Sequence, residues 1–75
     1  MAKEKDVLIK LGTIIGKKAK AKFKSNVEFA NVSNVSEGTI RRILLGRQNI
    51  TLNVLKQLCE ALDIKMSDML KEAGN

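Results

Sequence analysis

The chain has 75 residues and a net charge of +6, with one cysteine, no histidine and no proline, which makes one small domain with a basic surface. Cys59 alone builds no disulfide framework, and without histidine a four-ligand zinc site is out of reach. No metal and no cofactor are therefore expected, and a reducing, cytoplasmic setting is. No run of ~18 apolar residues spans a membrane, the opening "MAKEKD" starts no signal core, and Phe23 and Phe29 as sole aromatics disfavour β-sandwiches and stacking platforms for single strands.

The expected fold class is all-α, one domain of five helices over residues 1–75. The first helix is predicted from about Asp6, its cap, to Lys22. Leu8, Leu11, Ile15 and Ala19 share one face at spacings of three and four. "KKAKAKFK" alternates like an edge strand, but Ala and Lys are good helix formers and no partner strand exists. In "SNVEFANV", Ser25 is the N-cap of helix two and Glu28 its capping-box partner, with Val27, Phe29, Ala30 and Val32 apolar. Ser33-Asn34 makes a tight turn, and Asn tolerates the left-handed conformation. Ser36 caps helix three and Gly46 ends it. Thr51 caps helix four, with Leu52, Leu55, Leu58, Cys59 and Leu62 on one stripe and Asp63 as the following turn. Helix five runs from Lys65 or Met66 to about Glu72, before a frayed Gly74-Asn75.

Charge is uneven along the chain. Residues 1–24 hold eight lysines against Glu4 and Asp6, whereas residues 49–75 are slightly acidic. Such a basic half suits a polyanion binder, and equally a merely soluble one. Helices two and three are short and joined by a tight turn, a helix-turn-helix arrangement. On a 100° wheel, Ile40, Ile43 and Leu44 of helix three face the core. Glu37, Gly38, Arg41, Arg42 and Leu45 fall on the other side. A helix that offers its N-terminal half to the major groove reads bases from such positions. Arg41 or Arg42 can bond guanine O6 and N7. Glu37 can accept from cytosine N4 or restrain Arg41 one turn on. Gly38 lets the helix approach closely. Ser25-Asn26 and Ser36, at helix N-termini, can meet phosphate. Among the lysines, Lys22 and Lys24 are nearest helix two and best placed for phosphate, and Lys17 is not.

"SNVEFANVSNVSEGTIRRILLGRQNITLNVLKQLCEAL" resembles the Cro/C1-type, phage-repressor or XRE helix-turn-helix family. Glu28-Phe29-Ala30 stands for the usual Glu-Leu-Ala, Val35-Ser36 leads helix three, and Gly46-Arg47-Gln48-Asn49 forms the loop. The resemblance covers about residues 8–70. It implies a five-helix domain that binds a palindromic operator in double-stranded DNA as a homodimer. It assigns base contacts to Glu37, Gly38, Arg41 and Arg42, and phosphate contacts to Asn26, Ser36, Gly46, Arg47, Gln48 and Asn49. Departures are Asn34 for the turn glycine, Ala19 and Leu44 for a common Arg-to-Glu pair, Phe23-Lys24 for Gly-Leu, and Ile50 for the loop proline. "RQNITL" is similar to the controller proteins of restriction–modification systems.

Ile64, Met66, Met69 and Leu70 exceed what a small core needs and are expected to form the two-fold interface, because so small a domain gains stability by dimerising. Cys59 is expected in the core. No His-based triad, Gly-rich phosphate loop or carboxylate pair can be assembled, so no enzyme is expected. The competing reading is a protein-interaction module on the same fold, such as an antitoxin or coactivator-like domain. A third is a cationic binder of RNA or anionic membrane. The spread of core leucines argues against the membrane version.

Overall fold

A computed structural model describes residues 2–74, with side chains over 6–74. Five helices follow in order: α1 (Ala2–Lys22), α2 (Asn26–Ser33), α3 (Glu37–Leu44), α4 (Leu52–Leu62) and α5 (Met66–Gly74). No strand occurs among the described residues. α1 begins before its expected cap. The residues ahead of Asp6 are mostly good helix formers, so Asp6 lies exposed inside the helix instead of starting it. α5 likewise continues to Gly74, past the expected stop at Glu72. Asn75 lies outside the described residues.

Side-chain caps start three of the helices. The Glu28 N–H donates to Ser25 Oγ at 3.2 Å, the Thr39 N–H to Ser36 Oγ at 3.2 Å, and the Val54 N–H to Thr51 Oγ1 at 3.2 Å. The Glu28 carboxylate also accepts the Lys24 N–H at 2.8 Å. This capping box reaches one residue further back than the usual one.

The same three helices end alike, on a residue in the left-handed conformation: Asn34 (φ 61°), Gly46 (φ 70°) and Asp63 (φ 58°). After each, the next N–H reaches back into the last turn. Val35 donates to Ala30 O at 3.2 Å, Arg47 to Arg42 O at 2.9 Å, and Ile64 to Cys59 O at 3.0 Å. The orphan carbonyls are thus closed by local backbone, and the α2–α3 and α4–α5 connections take only three residues each.

The core gathers Leu11, Ile15, Phe29, Ile40, Ile43, Leu55, Leu58 and Met69, with Ala19, Cys59 and Ala73 filling narrower places. Phe29 stacks on Phe23 (ring centroids 5.2 Å apart, 18° between planes) and ties the end of α1 to α2. α1 packs against α3, α4 and α5, while α2 packs against α3 and α4. Lys18 of α1 meets Glu72 of α5 at 3.6 Å. Burial of Cys59 pushes its thiol pKa up, so it is a neutral core group and a poor nucleophile.

Three apolar expectations change. Leu52 is 72% exposed, because the first turn of α4 projects beyond the core. Val27 and Val32 are exposed on the outer side of α2. Met69 is fully buried and belongs to the core of this chain, so its side chain is not available to an interface.

One contact sets the spacing of α1 and α3. A Cβ added at Gly12 would overlap the Ile43 carbonyl oxygen and lie 2.9 Å from that of Leu44. α1 therefore touches the backbone at the C-terminal end of α3. One turn later the contact relaxes: a Cβ at Gly16 would stand 3.5 Å from Leu44 Cδ2, ordinary contact. Gly12→Ala should destabilise the domain by ~3 kcal/mol, since two backbones must separate. Gly16→Ala should be neutral or stabilising by up to ~1 kcal/mol. Urea unfolding followed by circular dichroism checks the contrast, and equal effects would refute it.

Candidate nucleic-acid interface

The turn between α2 and α3 spans Asn34–Ser36, with Val35 buried beneath it. Ile40 and Ile43 are each 1% exposed and fix the inner face of α3, while Leu44 is half-buried. Arg41, Arg42 and Leu45 are exposed, and Glu37 and Gly38 are half-buried at the front of the helix. The four residues expected to contact bases therefore share the outward side of one short, rigidly seated helix.

Its two arginines are held differently. Arg41 Nη2 donates to both carboxylate oxygens of Glu37 at 2.7 Å. The hydrogen bond to Glu37, and then its charge, hold the Arg41 guanidinium above its ordinary pKa. Of the two roles open to Glu37, restraint of Arg41 is the one seen in the free protein. Arg42 instead meets neutral acceptors. Its Nε donates to Gln48 Oε1 at 2.6 Å and its Nη2 to Thr39 Oγ1 at 3.4 Å, while Ser36 Oγ donates to Thr39 Oγ1 at 2.7 Å. Arg42 keeps an uncompensated charge. Sequence reasoning missed these partners of Arg42. The spacing of three between Thr39 and Arg42 could have pointed to one of them.

Gly38 is not required by the fold. A Cβ there would stand 3.6 Å from Arg42 Nη1, an ordinary contact. The caps Ser25 and Ser36 take the N–H groups of Glu28 and Thr39. Those of Asn26, Val27, Glu37 and Gly38, earlier in each first turn, are left without an intrahelical acceptor.

Lys24, Ser25, Asn26, Ser36, Arg47 and Asn49 are exposed, Asn26 as the first residue of α2 and the others in the segments that flank α2 and α3. Gln48 is half-buried against Arg42. Gly46 departs from expectation. It is buried, its N–H donates to Ile43 O at 3.0 Å, and a Cβ there would lie 2.8 Å from Ile9 Cγ1. Its only donor is spent on closing α3, so it serves the fold and has no N–H left for a phosphate. Of the residues expected at a two-fold interface, Leu70 is 43% exposed, and Ile64 and Met66 are half-buried against the core. No group of side chains suited to a metal ion occurs among the described residues, and no described helix is long and apolar enough to cross a membrane.

A tight-turned helix pair with an outward row of charged and small residues on its second helix defines a helix-turn-helix DNA-binding domain. Residues 17–69 match the helix-turn-helix (HTH_3) family model. The chain belongs to that family, in its XRE type, a family of DNA-binding regulators. No curated protein matches the chain in sequence. Among solved structures it is similar to the restriction-modification controller protein C.AhdI from Aeromonas hydrophila, with 26% identity and a TM-score of 0.78 over 83% of this chain and 94% of that one. It is also similar to the clp gene regulator ClgR from Corynebacterium glutamicum in two structures. Identity is 28% in both, over 91% of this chain, with TM-scores of 0.80 and 0.82 over 88% and 72% of those chains.

Because nothing in the free protein needs the bare backbone at Gly38, Gly38→Ala should stabilise the fold by ~0.5–1 kcal/mol. A thermal melt checks this, and a loss of stability would show that the glycine has a structural task.

Proposed function

We propose that this protein is a sequence-specific transcription regulator that binds duplex DNA with α3 in the major groove, as a homodimer on a palindromic operator. The observation that carries this is the outward face of α3: Arg42 uncompensated, Arg41 restrained by Glu37, and Gly38 empty although the fold has room for a side chain there. Arg42 reads guanine. Glu37 exchanges its bond to Arg41 for a cytosine N4 when that base is present, which frees Arg41. Gly38 lets the front of α3 reach the groove floor or a phosphate through its unused N–H. Lys24, Ser25, Asn26, Ser36, Arg47 and Asn49 grip phosphates on either side, which sets register without reading sequence. The structural relatives, a restriction-modification controller and a gene regulator, support the same role. A protein-interaction module remains the competing class, and the binding measurement below separates the two.

Selection from random duplexes should return a palindrome with half-sites about one helical turn, ~34 Å, apart. On that site Arg42→Ala should cost ~1–3 kcal/mol and relax one base preference. Asn26→Ala and Arg47→Ala should weaken all sequences alike. Gly38→Ala should weaken binding although it stabilises the fold. If Arg42→Ala leaves base preference intact, α3 does not read the site.

For the two-fold contact, Ile64, Met66 and Leu70 are the candidate surface. Wild-type chain should sediment as a dimer at micromolar concentration, and Leu70→Glu should shift it toward monomer without loss of helicity. An unchanged dimer mass in Leu70→Glu would remove α5 from the interface.

A further inference from the structure

Arginine carries five N–H donors in a planar fork and can address a base through either of two edges. The side edge offers Nε and one N–H of Nη2. The end offers Nη1 and the other N–H of Nη2. In this chain the side edge of Arg42 is already engaged: Nε donates to Gln48 Oε1 at 2.6 Å and Nη2 to Thr39 Oγ1 at 3.4 Å. Thr39 Oγ1 is itself fixed by Ser36 Oγ at 2.7 Å, and Ser36 is the N-cap of α3. The guanidinium is thus tied at one end to the cap of its own helix and at the other to the loop beyond it. Nη1 lies over Gly38, where a Cβ would stand 3.6 Å away.

We propose that Gln48 is a positioning residue for base reading. It grips Nε of Arg42, so that the arginine meets guanine end-on, through Nη1 and Nη2, in an orientation set before DNA arrives. This rests on the reading of Arg42 as a base contact and deepens it. Gln48 acts through Arg42 and its effect falls on specificity. Two features distinguish this pair from Arg41 and Glu37. The acceptor is neutral, so Arg42 keeps its full charge toward the DNA. The bond also occupies Nε, which an end-on contact does not use, so the hold of Gln48 need not break when guanine binds. A pre-set side chain loses little freedom on binding.

The test uses the full chain and two readouts. The sequence holds only Arg41, Arg42 and Arg47, so the three Nε–H signals can be resolved by ¹⁵N–¹H NMR of the free protein. Gln48→Ala should move the Arg42 Nε–H signal toward that of a free arginine, and Gln48→Glu, which keeps an oxygen acceptor, should restore a bonded signal. Binding is then measured on the duplex that wild type selects and on its single-pair variants. Gln48→Ala should cut the preference at one base pair by roughly three- to tenfold. It should leave an unrelated duplex unaffected and add no further loss in an Arg42→Ala background. Gln48→Glu should retain the preference while weakening binding to every duplex, because its charge offsets that of Arg42. The proposal is overturned if the NMR signal does not move. It is also overturned if Gln48→Ala weakens all duplexes equally and additively with Arg42→Ala, which marks Gln48 as a phosphate contact. Should wild type select no sequence at all, the base-contact reading falls and takes this role with it. That outcome is recognised by an Arg42 signal that still responds to Gln48.

Discussion

The touch between α1 and the last turn of α3 governs the rest of the molecule. Gly12 brings the α1 backbone against the carbonyls of Ile43 and Leu44, and Gly46 brings the chain after α3 against Ile9. Both contacts depend on a missing Cβ. Together they clamp the C-terminal end of α3, opposite its exposed front. With one end of an eight-residue helix pinned and Ile40 and Ile43 buried beneath it, the other end has a fixed tilt. Buried cores deform little, so the tilt is as rigid as the packing under it. The clamp also explains why the helix can be so short. A helix of eight residues is unstable alone in water, and tertiary packing must supply what propensity does not.

Local chemistry does the remaining positioning. Asn34, Gly46 and Asp63 each turn the chain through the left-handed region within one residue, and the following N–H closes the helix behind it. Most of the chain's polar backbone outside the helices is therefore spent on holding helices in register. The first turns of α2 and α3 each leave two N–H groups over. Positive ends of helix dipoles and unsatisfied donors thus collect where the lysines and arginines of the interface collect, and the field there favours an anion. Internal pairing tempers that field. Glu37 neutralises Arg41 in the free protein, whereas Arg42 meets neutral acceptors and keeps its charge.

How much of this could be read from the residues depends on the range of each interaction. Caps act over three residues, and Ser25, Ser36 and Thr51 were legible because their partners lie within one turn. The outward face of α3 was legible from a wheel, because Ile40 and Ile43 mark its inner side. The start of α1 was not, since Asp6 is a good cap in a stretch that is also good helix. Leu52 and Met69 show the limit of counting apolar residues. Periodicity tells which side of a helix is apolar, but not where the core ends along it, nor whether a methionine is lid or filling. Gly12 was illegible for a plainer reason. Its partner is a backbone carbonyl far along the chain, and a carbonyl has no letter in the sequence. The bond between Arg42 and Gln48 crosses from helix to loop, where no periodic rule applies.

The packing of α1 against α5 joins the first and last helices of the domain. α1 is made ahead of the helix-turn-helix, yet the α5 that packs on it, with Met69, Ala73 and the Glu72 that meets Lys18, follows after. The helix-turn-helix unit between them is built from contacts close in sequence and can form early. α1, which seats α3, is itself covered on its other side only when α5 is available. A chain halted before α5 would therefore hold a helix-turn-helix whose supporting helix is itself only partly packed. The stability of the whole domain would then arrive in one step, with the docking of α5.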